Sequence, residues 1–464
     1  MSGDPSTFSK QTEVSATDRI LDHALSVEWA ALPAQVQQAA TTFLHDTLCV
    51  GVAGRAAPDA DAVWRAVQGW CGGSGPCQVL GRPGEGASAP YAAFINAYQI
   101  HAQEFDCVHE PAVAHPMATV ASAVLADADR TGPRAGTELL ASLVAGVDVV
   151  ATLGVAVTTP LRFFRPATAG LFGSVAALCR LRGLPLEVAR AAFGHALAYA
   201  AGTMQAHLEG KPTLALQVAG AARSALVALD LALAGIDAPH HVIDGPFGYL
   251  PLFESGFELD AALAELGQRW RMAELSWKPF PTGRAAHGAI VALRQLMDLG
   301  LTESQVEQVI YHAPPLIARL VGRAAVADMR PAHARLCFPY LGAVVLQRRE
   351  VGLEDFTVDR LSDEKTLALA QRLSVRADGH PDPAAFVPAL LEVRLVDGRS
   401  LHQRVERQFG APEWPLSRQQ HLDKAQACLA FGGQAHLHDA LSAWITSLPV
   451  QRDAAGSLRG ILSR

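Results

Sequence analysis

The sequence has few cysteines and no surplus of positive charge, and both absences restrict what the protein can be. Its seven cysteines are scattered along 464 residues and form no Cys-x-x-Cys pair, so neither a disulfide framework nor a zinc knuckle is indicated. The formal net charge is -7, with both signs mixed along the chain. Nucleic-acid binding usually relies on a basic stripe that displaces counterions from phosphates. The composition therefore argues against nucleic acid as a partner and favours a small soluble ligand.

The polar segment at the beginning of the sequence predicts a loose tail and not a secretion signal. The segment MSGDPSTFSKQTEVSATDR is polar and has no apolar core, so we expect a disordered tail over residues 1–15 and a cytoplasmic protein. One run, residues 139–161, is long enough to span a bilayer. It carries Asp148 near its middle, where a charge costs about 2.5 kcal/mol or more to insert. We predict a buried helix there and no contact with a membrane.

Half of the residues are hydrophobic, and their pattern changes twice along the chain. Residues 16–274 contain Ala- and Leu-rich segments of helical length, separated by Gly and Pro. In residues 275–408, LLEVRLVDGRSLHQRVE places an Asp-Gly turn between alternating apolar and polar residues, which is the pattern of a hairpin. Residues 409–464 again look helical. We predict a mainly α fold, in which a large all-helical domain is built from both chain ends and a smaller α+β lid domain is inserted at 275–408.

Titratable side chains are concentrated in HAQEFDCVHEPAVAHP, residues 101–116. His101 and Glu104 are three residues apart and so share a helix face, while Pro116 places His115 at the start of a helix. Imidazole and carboxylate groups can bind zinc, manganese or iron, but this spacing matches no metal signature that we can place. They can also transfer protons, with a carboxylate fixing the tautomer of an imidazole. Some of these side chains could instead simply cap the next helix.

A second cluster lies in WKPFPTGRAAHGAIVALRQL, residues 277–296. Lys278 is in a Pro-rich loop, and Arg284 and His287 are three residues apart on the following helix. Fixed Lys and Arg donors are suited to a carboxylate substrate, because a guanidinium binds it through two hydrogen bonds and a lysine acts as a point charge. The cluster is either a carboxylate site or a solvated group of surface charges.

Together, these segments resemble the MmgE/PrpD family, which includes 2-methylcitrate dehydratases, decarboxylases and an iminodisuccinate epimerase. The resemblance extends from about residue 16 to residue 462. The family patterns H-x-x-D-F-D-D, H-P, K-P-[YF]-P…R-x-x-H and A-[KR]-x-[SC]-[FL]-x-Y correspond to HAQEFDC, HP, KPFPTGRAAH and ARLCFPY. GTMQAHLEG and GAPEWPLS match two shorter patterns. The shared order of these segments carries the resemblance.

The resemblance implies a helical domain capped by an α+β lid, a homodimer, no cofactor and no metal, with the active site in the cleft between the two units. Carried over by position, the site residues are Glu104, His115, Lys278 and Tyr340. We interpret His115 as the general base or acid, oriented by Asp106 or Glu104. The full set of candidates adds Tyr340 or His287 for a second proton transfer and Lys278, Arg284, His101, His109 and Arg165 for binding substrate.

The chain departs from the family pattern mainly by losing basic side chains. Phe164 and Leu214 stand where the resemblance leads one to expect histidine and lysine, Gln217 stands in place of another histidine, and Gly283 in place of cysteine or histidine. A tricarboxylate, which needs several cations, therefore fits less well.

We expect a cofactor-independent lyase, of the dehydratase type, that removes the proton α to a carboxylate of a small hydroxy- or amino-di- or tricarboxylate. The alternatives are an isomerase or epimerase of a dicarboxylate, a decarboxylase, and a family member that binds substrate without turnover.

Overall fold

In the computed structural model, which describes residues 14–382 and 385–464, the protein is mainly helical, as the composition predicted. The tail expected at 1–15 lies almost entirely outside the described residues. A short antiparallel hairpin pairs strand β1, Cys77–Gln78, with β2, Gly86–Ala87. Helices α1 to α12 are Ala16–Ser26, Ala34–Gly54, Ala60–Cys71, Ala89–Ala102, Pro116–Thr131, Gly136–Val155, Arg165–Arg182, Leu186–Tyr199, Gln205–Glu209, Thr213–Leu233, Tyr249–Phe253 and Leu259–Ala264.

The helix ends follow local chemistry. Pro116 and Pro166 occupy the first turns of α5 and α7, where the missing N–H has no helical partner to lose. Gly183 ends α7 with a φ of 59°, a left-handed conformation that glycine adopts without steric cost. The helix starts at the two prolines matter for the site, because they place His115 and Phe164 immediately before a helix.

The middle of the chain combines helices with a four-stranded sheet. The strands are β3, Val306–Ala313, β4, Leu373–Ala377, β5, Ala389–Leu395, and β6, Ser400–Val405, in the order β4-β3-β5-β6. β3 and β4 are parallel, and the other pairs are antiparallel. The hairpin predicted at the Asp-Gly turn is confirmed, with Gly398 at a φ of 87° between β5 and β6. Helices α13 to α18 are His287–Asp298, Pro315–Val321, Pro331–Ala334, Phe338–Arg348, Val358–Leu361 and Glu364–Ala370.

The C-terminal segment is helical again, with α19 at Arg418–Phe431, α20 at His438–Ser447 and α21 at Ala454–Leu462. The buried apolar side chains form two clusters. Apart from Leu336 and Leu353, the first draws on residues 16–275 and 425–462. The second draws on residues 280–405 and Leu161. These clusters show where the cores lie, whereas a lid function for the middle section stays a prediction.

Two helices are long and apolar enough to cross a membrane by length and composition, Gly136–Val155 and Thr213–Leu233. Most of the apolar window of α6 is buried by the protein itself, as predicted for the run around Asp148. Asp148 is compensated there, because one carboxylate oxygen lies 3.1 Å from His23 Nε2 and the other accepts from the Arg271 amide at 2.8 Å. The Asp148 carboxylate is therefore held by contacts within the protein.

Candidate active site

The two titratable clusters predicted from the sequence meet between α4, α5 and the segment before α13. The backbone of Val108 and Ser276 exchanges two hydrogen bonds, at 3.0 and 2.8 Å. A second bridge between His109 and Ala114 tightens the loop that leads into α5. These contacts bring His101 to His115 beside the Lys278 loop, although about 170 residues separate the two segments.

Asp106 is the centre of this arrangement. Its Oδ2 lies 3.1 Å from Nδ1 of His101 and 3.1 Å from Nδ1 of His115, and its side chain is fully buried. Burial alone would raise the pKa of Asp106, but attraction to His115 and His101 holds it well below its usual value. Because the ionised carboxylate only accepts hydrogen bonds, both imidazoles carry a proton on Nδ1. Asp106 thus fixes the tautomer of both rings, as predicted for one of them.

The two histidines differ in charge. Burial would lower the pKa of His101, but attraction to Asp106 outweighs it and raises that pKa above its ordinary value; His101 Nε2 also lies 3.8 Å from Glu104 Oε1. For His115, burial outweighs the attraction of Asp106, and its pKa is lowered. A neutral His115 with its proton on Nδ1 has a free lone pair on Nε2, and this atom has no hydrogen-bond partner within residues 14–382 and 385–464. His115 has the properties of a general base.

Glu104 and Lys278 form a buried ion pair beside this group, with Oε2 and Nζ 2.7 Å apart. Lys278 is completely buried. Burial would raise the pKa of Glu104, but attraction to Lys278 and His101 lowers it to about 2. Glu104 adopts a φ of 49°, which is uncommon for a residue with a side chain. The backbone therefore turns sharply at the residue that joins the first segment to Lys278.

Arg284 is also paired within the protein. Its Nε donates to Glu110 Oε1 at 2.7 Å, and its Nη1 donates to the carbonyls of Trp277 and Phe409 at 3.2 and 2.6 Å. The same Nη1 lies 3.2 Å from Nδ1 of His287. Burial and the positive charge of Arg284 lower the pKa of His287 well below its usual value. Arg284 and His287 thus do lie together, but in this structure they bind each other and the backbone.

The other predicted site residues have partners in the surrounding protein. His109 Nε2 lies 2.9 Å from Glu274 Oε2, and its Nδ1 accepts from the Ala112 amide at 3.1 Å. Arg165 donates to Glu254 at 3.2 Å and to the Ala112 carbonyl at 2.8 Å. Tyr340 lies in the core of the middle section, where its hydroxyl donates to the Asp355 carbonyl at 2.5 Å and burial raises its pKa. None of these three predicted site residues is among those that line the cavity described next.

A cavity opens beside His115 and Glu104. Arg284 contributes to its wall. Much of the remaining lining is apolar and includes Phe164 and Leu214. A neighbouring cavity shares Glu104 and Leu214 with it and reaches His101. The two cavities thus lie on either side of Glu104, with the proton-transfer group at their junction.

Comparison with known proteins decides the family. Residues 18–262 match the MmgE/PrpD N-terminal domain, and residues 280–444 match the MmgE/PrpD C-terminal domain. The chain belongs to the MmgE/PrpD family. This confirms the resemblance predicted from the ordered motifs.

Two curated members of the MmgE/PrpD family are similar over most of their length. The cis-aconitate decarboxylase of Mus musculus is 25% identical over 368 residues, which cover 75% of this chain and 73% of the relative. That of Homo sapiens is 25% identical over 372 residues, which cover 75% and 74%. These relatives are lyases, so the family supports an enzyme of the lyase kind.

The departures from the MmgE/PrpD pattern have different structural consequences. Phe164 and Leu214 both line the cavity and make its wall apolar. Gln217 instead binds the backbone of Thr203, accepting from its amide at 2.6 Å and donating to its carbonyl at 3.2 Å. A side chain at Gly283 would place its Cβ 2.5 Å from Leu336 Cδ2. These four positions therefore bring no basic side chain to the cavity.

One polar residue that lines the cavity, His207, was not predicted from the sequence. It lies in α9 within GTMQAHLEG, lines the cavity and is 7% exposed. Nothing in its local pattern distinguishes it from a core histidine. Its partner Arg323 is 116 residues away along the chain, so the pairing could not be read from spacing.

His101, Asp106 and His115 also satisfy a geometric condition for binding a metal, since one ligand atom from each lies within 4.8 Å of the others. The set of two imidazoles and a carboxylate suits a divalent transition metal. However, the two Nδ1 atoms already face one oxygen of Asp106 at hydrogen-bond distance. A metal bound to these atoms would replace the hydrogen bonds that fix the tautomers.

Proposed function

We propose that this protein is a cofactor-independent lyase that removes the proton α to a carboxylate of a small hydroxy- or amino-dicarboxylate. One observation carries the proposal. His115 lines the cavity, is held through Nδ1 by an ionised and buried Asp106, and has a lowered pKa, while its Nε2 has no partner within the described residues. This combination is what a general base needs at neutral pH, because the base must be unprotonated, oriented and accessible to the substrate.

The residues around His115 suit the charge that forms when the proton leaves. Proton removal places negative charge on the substrate carboxylate as an enolate-like group, and nearby fixed cations stabilise it. Lys278 and Arg284 supply positive potential from positions that their buried partners Glu104 and Glu110 hold fixed. When His115 takes up the proton, its new charge is stabilised by Asp106 at 3.1 Å. The substrate and the base are thus stabilised by different groups.

The balance of charge around the cavity limits the number of carboxylates that the substrate can carry. Three carboxylates, Glu104, Asp106 and Glu110, are matched by Lys278, Arg284 and a protonated His101. Arg323, which contacts cavity residue His207, forms no ion pair with a carboxylate within the described residues. Arg335, which is buried and interacts electrostatically with Glu104, also has no carboxylate partner there, so the surplus is about two positive charges. A substrate with one or two carboxylates fits this balance better than the tricarboxylate named for the relatives.

Few side chains in the site are free to take part in a second proton transfer, and this favours elimination over epimerisation. Epimerisation needs a proton donor on each face of the substrate. Tyr340 and His287, our candidates for the second transfer, are engaged with Asp355 and Arg284. If the β carbon carries a hydroxyl or amino group, the electron pair left by the α proton expels that group, and the proton held by His115 passes to it, so that water or ammonia leaves and an alkene remains. An epimerase is the second candidate, because the smaller number of cations suits a substrate of lower charge.

The middle section is well placed to act as a lid in this proposal. Arg335 Nη1 donates to the carbonyl of Gln103 at 3.0 Å and to that of Pro281 at 2.8 Å. Together with the Glu104–Lys278 pair, these contacts join the middle section to the wall of the cavity. Closure would exclude water and strengthen the electrostatic contacts. We include the homodimer and the cytoplasmic location in the proposal, and light scattering on the purified protein tests the first.

Proton NMR in deuterium oxide tests the proposed reaction with malate, aspartate, iminodisuccinate, citrate, methylcitrate and cis-aconitate. We expect deuterium to enter the position α to a carboxylate of a dicarboxylate and an alkene signal to appear. His115→Ala should lose both signals, while His402→Ala, at an exposed position on β6, should keep them. A folded wild-type protein that exchanges no proton in any of these substrates would overturn the proposal. Exchange with inversion and without an alkene would establish the epimerase instead.

A further inference from the structure

His207 is a buried imidazole with an unused ring nitrogen. Its Nε2 is buried and has no hydrogen-bond partner within residues 14–382 and 385–464. The same ring lines the cavity that contains Glu104 and His115. A buried polar atom without a partner loses its hydrogen bonds to water, so such atoms are rare unless a ligand or water satisfies them. His207 Nε2 is therefore available to a molecule that occupies the cavity.

Arg323 fixes the protonation state of this ring. Its Nη2 lies 3.5 Å from His207 Nδ1 and donates to the His207 carbonyl at 2.8 Å. A guanidinium has no acceptor, so Nδ1 of His207 accepts and the proton of the neutral ring is on Nε2. Burial, Arg323 and Arg319 lower the pKa of His207 to about 4, against the opposing effect of Glu104. At neutral pH, His207 is an uncharged ring with an N–H donor on Nε2.

We propose that His207 is a further catalytic residue, whose Nε2–H donates a hydrogen bond to the substrate oxygen that becomes negative when His115 removes the α proton. This inference rests on the proposed function and adds a role to the same cavity. In the step, the substrate C–H bond breaks and the proton passes to His115 Nε2. The electron pair moves into the substrate carboxylate, and His207 keeps its proton. A neutral donor of this kind stabilises developing charge without protonating the substrate.

The proposal also explains how the cavity works with few cations. Phe164 and Leu214 add no charge to its wall. A neutral hydrogen-bond donor favours the transition state over the ground state, because the bond strengthens as charge develops on the oxygen. A further fixed cation would attract the substrate carboxylate before reaction as well. His207 therefore supplies stabilisation that appears mainly in kcat.

Two substitutions distinguish the effect of the hydrogen bond on turnover from the effect of the ring's shape. His207→Phe keeps a planar ring without a donor, and His207→Gln retains an amide N–H near the position of Nε2. We expect His207→Phe to lower kcat for both α-proton exchange and product formation by about 10² to 10³-fold with little change in KM, as for loss of one oxyanion donor. His207→Gln should recover at least about tenfold of that loss. His402→Gln is the matched control and should keep the wild-type rate.

A pH profile gives a readout that a purely structural role would not change. In Arg323→Met, loss of the guanidinium lets the pKa of His207 rise from about 4 towards its ordinary value. The kcat/KM profile of this variant should therefore show the ionisation of His207 above about pH 4, in addition to that of His115. The wild type should show no ionisation of His207 in that range. Nitrogen-15 NMR of the wild type and His207→Gln, without substrate, should identify a His207 ring that stays neutral with its proton on Nε2 from pH 6 to 8.

The outcomes distinguish this inference from the proposed function. Wild-type turnover that survives His207→Phe within threefold, or a His207 ring that carries its proton on Nδ1, would overturn the role of His207 alone. A wild-type protein that exchanges no α proton would overturn the proposed function and this role with it.

Discussion

The ion pair between Glu104 and Lys278 allows a quantitative test of the site. We consider Glu104→Gln, which preserves the size of the side chain and removes its charge. Lys278 is completely buried, and its Nζ lies 2.7 Å from the carboxylate. The substitution leaves a buried ammonium without a counter-charge. Removing one partner of a buried pair typically costs about 3 to 5 kcal/mol of stability.

The lowered pKa of Glu104 gives a second value for this loss of stability. A decrease from 4.5 to about 2 corresponds to roughly 3 kcal/mol, since one pKa unit is about 1.4 kcal/mol. Since the pKa is lower in the folded protein, this contribution is fully present above pH 4.5 and is lost as the pH falls through about 2. We therefore expect Glu104→Gln to lower the free energy of unfolding by about 3 kcal/mol at pH 7.

Urea unfolding followed by circular dichroism measures this loss, with the slope of the transition unchanged. Glu406→Gln is the matched control, because its 2.6 Å pair with Arg404 is exposed and should contribute less than about 0.5 kcal/mol. Adding Lys278→Met to Glu104→Gln removes the unpaired charge and should restore at least about 2 kcal/mol. A Glu104→Gln protein as stable as the control would refute the reasoning, as would a double variant less stable than Glu104→Gln.

Four further predictions concern His115 and the groups around it. His115→Ala should reduce turnover to background with an unchanged circular dichroism spectrum, and residual activity above about 1% of wild type would contradict its role as base. Because the pKa of His115 is lowered and the base form is active, kcat/KM should rise with pH through a midpoint below 6.5; a rate that rises as the solution is acidified would contradict this. Asp106→Asn should lower kcat by about 10² to 10⁴-fold and move that midpoint to lower pH, as measured in the same profile. Dialysis against a chelator should leave turnover unchanged, and activity that disappears and returns with added zinc or manganese would support a metal at His101, Asp106 and His115.

Residues close together in sequence allowed part of the site to be predicted. The Asp106–His115 contact spans nine positions, and the start of α5 at Pro116 follows from proline chemistry. The pairing of Arg284 with His287 follows from their spacing of three. The state of each ring could not be predicted in this way, because burial lowers the pKa of His115 while Asp106 raises that of His101. Those balances depend on the complete surroundings of each ring.

The sequence by itself determined the helical character of the chain, the β5–β6 hairpin and the family. These properties depend on local propensity, turn chemistry and the order of motifs, all of which are written along the chain. Only the tertiary structure decided that Glu104 neutralises Lys278, that Glu110 binds Arg284 and that Arg323 orients His207. These partners are 174, 174 and 116 residues apart. Their pairing is set by how the helices and the middle section pack together, and no local pattern records it.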